Sequence, residues 1–138
     1  MIKAVIEPSG PENAKGIISS AYLKDPDDPQ FVNDPGVKQW RAWMKKYYPA
    51  GSELDAGNYY AYSVAQTMVQ VLKQCGDDLT RENVLKQATH LKNFDVPMLL
   101  TGITIETGPA DYAPIEQMQL MQFSGTSWVR FGQVLSSR

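Results

Sequence analysis

Residues Gly57 to Phe94 read GNYYAYSVAQTMVQVLKQCGDDLTRENVLKQATHLKNF, and the rest of the chain is organised around them. The spacing predicts two helices joined by a short acidic turn. Ala61, Val64, Ala65, Met68, Val71 and Leu72 recur at helical intervals and make one apolar stripe. Gly76 is the expected stop, because glycine takes a left-handed conformation at little cost. Asp77-Asp78-Leu79 forms the turn, Thr80 is the expected N-cap of the second helix, and Glu82 suits its first turn. A capping box would want Glu or Gln at position 83, where this chain has Asn83. Val84, Leu85, Ala88 and Leu91 continue a second stripe. Two such stripes need a sheet or other helices to cover them.

Outward from this hairpin, the chain divides readily. Ala4-Val5-Ile6 suggests a small strand ended by Pro8-Ser9-Gly10-Pro11, and Lys15 to Leu23 reads as a second strand. Lys24-Asp25-Pro26-Asp27-Asp28-Pro29 is a stiff polar connector of the kind that joins lobes. Asp34-Pro35 starts a helix with an N-cap and a proline at the first helical position. Val37, Trp40, Met44 and Tyr47 share its apolar face, Trp43 lies off it, and Pro49-Ala50-Gly51 ends it. After Phe94, Leu99 to Ile105 leads into a strand, 107–114 is a loop, and Ile115 to Phe123 is a half-buried strand. Ser124-Gly125-Thr126-Ser127 turns into a return strand, Trp128 to Phe131, that Gly132 ends. The class is mixed α/β, yet no strand is the continuous apolar run that a buried parallel sheet supplies. The sheet these helices should lie on is not in evidence.

The 138 residues are 43% hydrophobic and 20% charged with a net charge of −2, which describes a globular chain without the basic excess of a general nucleic-acid binder. The single cysteine, Cys75, excludes an intramolecular disulfide and a multi-cysteine zinc site; near a helix C-terminus it reads as a buried apolar residue. No GxSxG, HExxH, P-loop or GxGxxG occurs, so no cofactor is implied, and the lone His90 has no adjacent nucleophile and orienting acid. Asp25, Asp27 and Asp28 lack the glycine and distal glutamate of an EF-hand and read as a solvated connector rather than a metal site. Asn58, Tyr59, Tyr60 and Tyr62 cluster at the start of the central helix. There a helix N-terminus can hold a carboxylate and tyrosines can line a small-molecule cleft; the competing reading is packing in the core or between lobes. Trp128 and Phe131 read as core.

Four segments carry a family resemblance: Glu12 to Ser19, Tyr22 to Pro29, Val71 to Val84 and Asp111 to Ile115. Together they resemble the C-terminal part of ABC-transporter substrate-binding proteins of the branched-chain amino-acid (Leu/Ile/Val) type, the extracellular ligand-binding receptors. The resemblance implies a C-terminal fragment of a type I periplasmic binding fold, in which two α/β lobes joined by three crossover strands close on a ligand. It implies one partial domain: strand and crossover connector in 1–29, first-lobe helices in 30–94, and hinge return with a C-terminal hairpin in 95–138. Tyr22, Lys24, Asp25 and Pro26 would form the hinge, and Gly57, Asn58 and Tyr59 would lie near the ligand. Thr101 departs from the proline the family pattern expects before Gly102.

The implied role is the non-catalytic solute-binding component of an importer for amino acids or related small carboxylates, with an ABC permease as partner. The location would be periplasmic for full-length members, although no signal peptide is read at this N-terminus. The alternative is a fragment that binds no solute itself and persists as a homo-oligomer through exposed helix faces.

Overall fold

The computed structural model describes residues 6–137. Ala4 and Val5, expected with Ile6 in a strand, lie outside them, and Ile6 leads into a helical turn. Two short helical turns follow, α1 (Glu7–Ser9) and α2 (Pro11–Ala14). The segment expected to break structure at Pro8 and Pro11 thus carries it, because each proline sits in the first turn, where its missing N–H is not needed. Strand β1 (Ile18–Ala21), a 3₁₀ turn (Pro29–Phe31), helices α3 (Pro35–Tyr47), α4 (Ala56–Cys75) and α5 (Arg81–Ala88), and strands β2 (Gln117–Phe123) and β3 (Trp128–Ser136) complete the order.

Caps explain the helix limits. Asp34 accepts from the Val37 N–H at 3.0 Å, Asp55 from the Gly57 N–H at 2.8 Å, and Thr80 from the Asn83 N–H at 3.4 Å. Gly76 ends α4 with φ of +57°. Asn83 does something a capping-box glutamate would not. Its side-chain amide donates to the Asp78 carbonyl at 2.8 Å and to the Cys75 carbonyl at 3.3 Å, tying α5 to the end of α4.

The three strands form one antiparallel sheet in the order β1-β2-β3, with Ile18 opposite Gln122 and Phe123 opposite Trp128. Gly132 was expected to end the last strand. Instead β3 runs on to Ser136 through a bulge in which Phe131, Gly132 and Gln133 face the single Leu120. Gly132 takes φ of +69° there, and the Gln119 side-chain amide donates to the Phe131 and Gly132 carbonyls that the bulge unpairs.

Two apolar clusters hold the described residues together. The larger is made by Val37, Trp40 and Met44 of α3, Tyr59, Tyr62 and Val71 of α4, and the segment from Val96 to Ile105. Burying each of its aliphatic side chains contributes about 1.5–3 kcal/mol. The Leu99–Ile105 segment is therefore core, but it is not the strand its residues suggested. Gly102 turns at φ of +87°, and pairing is limited to the isolated bridges Leu23–Leu99 and Phe94–Ile105. The smaller cluster joins Ile6 and Ala14 to Met121, Phe123 and Trp128 of the hairpin.

Several expected core positions are exposed: Tyr47 on α3, Ala61, Val64, Ala65, Met68 and Leu72 of the α4 stripe, Leu85 on α5 and Phe131 beside the bulge. Trp43 packs on Tyr62 and Tyr47, with ring centroids 5.3 and 5.6 Å apart. No helix among the described residues is long and apolar enough to cross a membrane.

Candidate functional site

Between the two clusters lies a cleft of about 830 Å³. One wall is the start of α4, with Gly57, Tyr59 and Tyr60; the other is the hairpin, with Met118, Met121, Trp128 and Arg130. The end of β1 and the connector, Ala21 to Leu23, run beneath, and Asp25, Asp27 and Asp28 also line it.

The start of α4 presents rings rather than open donors. The Asp55 carboxylate already takes the Gly57 N–H, so this helix N-terminus does not offer the free anion site that the sequence allowed. Asn58 does not line the cleft; its side-chain amide donates to the Ser52 carbonyl at 2.8 Å and holds the loop that enters α4. Tyr59 is buried, edge-on to Trp40 with centroids 5.9 Å apart. Burial first, then the nearby charges of Asp25 and Asp55 and the Tyr22 phenol, push its hydroxyl up to about 12. Burial, with Tyr60, also raises Tyr22. Both phenols stay neutral at ordinary pH and can donate or accept one hydrogen bond to a ligand.

The expected hinge residues divide. Tyr22 and Asp25 line the cleft. Tyr22 is pinned through its carbonyl, which accepts from the Leu100 N–H at 2.9 Å. Lys24 and Pro26 lie behind the lining. The buried Lys24 ammonium meets Asp34 at 2.9 Å and the Pro97 carbonyl at 2.9 Å, and the Pro26 carbonyl accepts from Arg41 at 2.9 Å. The hairpin wall was not anticipated as part of a site. Trp128 does pack in the core against Phe123, with centroids 5.4 Å apart, but it also faces the cleft. Arg130 lies over the Phe31 ring, 4.8 Å from its centroid.

His90 is exposed beyond the end of α5 and Cys75 is buried at the end of α4; neither lines the cleft. Among the described residues, no group of three or more His, Cys, Asp or Glu is placed to hold a metal ion.

A sequence-family model described as periplasmic binding protein matches residues 2–127. The chain belongs to the periplasmic binding protein family. No curated protein matches it significantly in sequence. The fold is similar to that in a crystal structure of a branched chain amino acid ABC transporter from Thermus thermophilus with bound valine, with a TM-score of 0.64 at 15% identity. That match covers 93% of this chain and 37% of the other, so the chain spans just over a third of the solved protein's length. The expected class, part of a type I periplasmic binding fold, is the one observed. In this chain the cleft lies where the helices and the hairpin meet, lined also by residues of the 22–29 connector.

Proposed function

We propose that this chain supplies the C-terminal portion of the solute-binding component of an ABC importer for amino acids or related small carboxylates. The observation that carries the reading is the aromatic-walled cleft between two separately packed bodies, in a chain of the periplasmic binding protein family. Tyr59 and the Gly57 backbone form the ligand wall of this portion, with Asn58 holding the loop behind them. The connector from Tyr22 to Pro26 is the hinge, Lys24 being the point at which it is anchored to α3. Binding shifts the two bodies toward a closed arrangement, which an ABC permease recognises. The role is solute capture without covalent chemistry, and full-length members of the family work in the periplasm.

Closure on a solute needs contacts from both sides, and this chain carries only part of them. Valine, leucine, glutamine and phenylalanine titrated separately into the labelled chain and followed by NMR test the reading. The expected result is weak binding, in the millimolar range or above, with shifts confined to amides at Gly57, Tyr59, Tyr22 and Trp128, and loss of those shifts in Tyr59→Ala. Shifts scattered over surfaces away from the cleft, or none with any solute, would overturn it.

A further inference from the structure

The chain passes between the sheet and the helices at one end of the sheet. β1 gives way to the connector after Ala21, the returning chain enters β2 at Gln117, and Ala21 pairs with Gln119. Apolar contacts with the larger cluster gather at the same end: Ala21, Ile115 and Val134 pack against it, and Val134 also pairs with Gln119. There the Gln117 side chain accepts from the Thr104 N–H at 3.1 Å. This end is where the sheet is pinned to the helices. Arg130 stands away from it. It pairs with Met121, two residues beyond Gln119 and so about 7 Å farther along the strand. From there the guanidinium reaches across the margin of the cleft, donating to the Gln30 side chain at 3.0 Å and covering the Phe31 ring. The receiving turn is firm, since Phe31 is buried in the larger cluster and its carbonyl accepts from the Asp34 N–H at the head of α3. Both ends of the contact belong to this chain.

We propose that Arg130 is a latch that sets the width of the cleft, a role that rests on the hinge reading given above. A hydrogen bond of 3.0 Å is lost when its donor withdraws by about 1 Å. At a radius of about 7 Å, a turn of the sheet by roughly 8° about its pinned end does that. The Gln117–Thr104 bond lies at the pivot and survives the same turn. With the latch made, the hairpin wall, with Met121 and Trp128, is held toward Gly57 and Tyr59 of α4. With it broken, that wall swings away and the cleft widens. The contact suits repeated use. Its acceptor is a neutral amide at an exposed position, so water replaces it at little cost and the bond re-forms on closure.

Double electron–electron resonance between the sheet and the helices tests the latch. One nitroxide is placed at Val129→Cys on β3 and the other, in separate samples, at Tyr47→Cys on α3 or Leu85→Cys on α5. All three positions are exposed, and the buried Cys75 stays unlabelled. Two helix sites ensure that a swing across one label vector is read along the other. The expected result is that Gln30→Ala and Arg130→Ala each change the ratio of displaced to principal distance at least about threefold. Gln30→Glu should change it in the opposite direction, because a carboxylate holds the guanidinium more strongly than an amide does. Gln30 is exposed, so its variants should match the parent in circular dichroism. Distances from both helix sites that stay the same in Gln30→Ala and Arg130→Ala, or a Gln30→Glu chain that moves with Gln30→Ala, would overturn the latch. No solute is present, so these outcomes are separate from the titration that tests solute binding.

Discussion

Arg130 and Gln30, 100 residues apart in sequence, are joined by a 3.0 Å hydrogen bond from the guanidinium Nη2 to the side-chain Oε1. The same guanidinium covers the Phe31 ring. One side chain of β3 thus fastens the hairpin to the 3₁₀ turn that follows the connector, on the margin of the cleft. Arg130→Ala should lower stability by about 1 kcal/mol, a fall of roughly 3–5 °C in melting temperature. Arg130→Lys should recover little of it, since an ammonium lacks the planar face that lies on the ring. Hydrogen exchange should locate the effect: amides of β3 and of 28–32 exchange faster in the variant, while those in the middle of α4 do not.

Lys24 anchors the connector to α3. Its ammonium is buried against the Asp34 carboxylate, which also caps α3 and accepts from the Val37 N–H. Burial alone would raise the Asp34 carboxyl. The hydrogen bonds from Lys24 and from the Val37 and Gly36 amides, together with the Lys24 charge, hold it below its ordinary value of 3.8. A depressed carboxyl stabilises the fold above its unfolded pKa, and that contribution is lost as pH falls below 3.8 through the lower folded value. Lys24→Met should cost about 2–3 kcal/mol at neutral pH, by leaving a largely buried carboxylate with its backbone partners alone. The difference between variant and parent should shrink as the pH is taken below 3.8. Paired urea melts at pH 7 and pH 3 would measure both.

How much of this was legible in the sequence depends on the range of the forces involved. Asp34-Pro35, Thr80 and Gly76 set helix ends through bonds within a few residues, so the signals sit beside their effects. The hairpin turn at Ser124 to Ser127 is equally local. Gly132 misled because the bulge that accommodates it is completed by Gln119 on the neighbouring strand. Leu99 to Ile105 has the composition of a strand, but its partners are the connector and Phe94, which offer single bridges rather than a ladder. Gly57, Asn58 and Tyr59 stood out as candidates because rings cluster at a helix start, and of these Gly57 and Tyr59 line the cleft. Arg130 and Met121 did not, since only the fold brings β3 and β2 to face α4 across the cleft.

Gly36, in the first turn of α3, packs directly against the Pro97 backbone. A Cβ built there would stand 2.1 Å from the Pro97 carbonyl oxygen, an atom that Lys24 also holds in place. Backbone on both sides leaves nothing flexible to yield. Gly36→Ala should therefore destabilise by about 3 kcal/mol, although alanine is the better helix former by nearly 1 kcal/mol at an open position. Gly57→Ala is the control: its nearest neighbour would be the Asp55 carboxylate oxygen at 3.2 Å, a side-chain atom that can give slightly. It should change stability by no more than about 1 kcal/mol. Denaturant melts of the two variants, showing a large loss for Gly36→Ala and a small change for Gly57→Ala, would verify the packing of α3 on Pro97.

Tyr59 offers a spectroscopic handle on the cleft wall. Its hydroxyl is pushed up to about 12, chiefly by burial, with Asp25, Asp55 and Tyr22 disfavouring a phenolate beside them. A pKa raised in the folded state means that the native chain keeps its proton where the unfolded chain has begun to lose it. The stabilisation is complete below pH 10 and declines between pH 10 and about 12. Ultraviolet difference titration of the folded chain should show one tyrosine ionising last, and Tyr59→Phe should remove that step. The same substitution should flatten the alkaline fall in stability relative to the parent. If instead the last-titrating tyrosine survives Tyr59→Phe, the ring is not in the buried, acid-flanked position described for the cleft wall. The ligand surface assigned to α4 would then have to be redrawn.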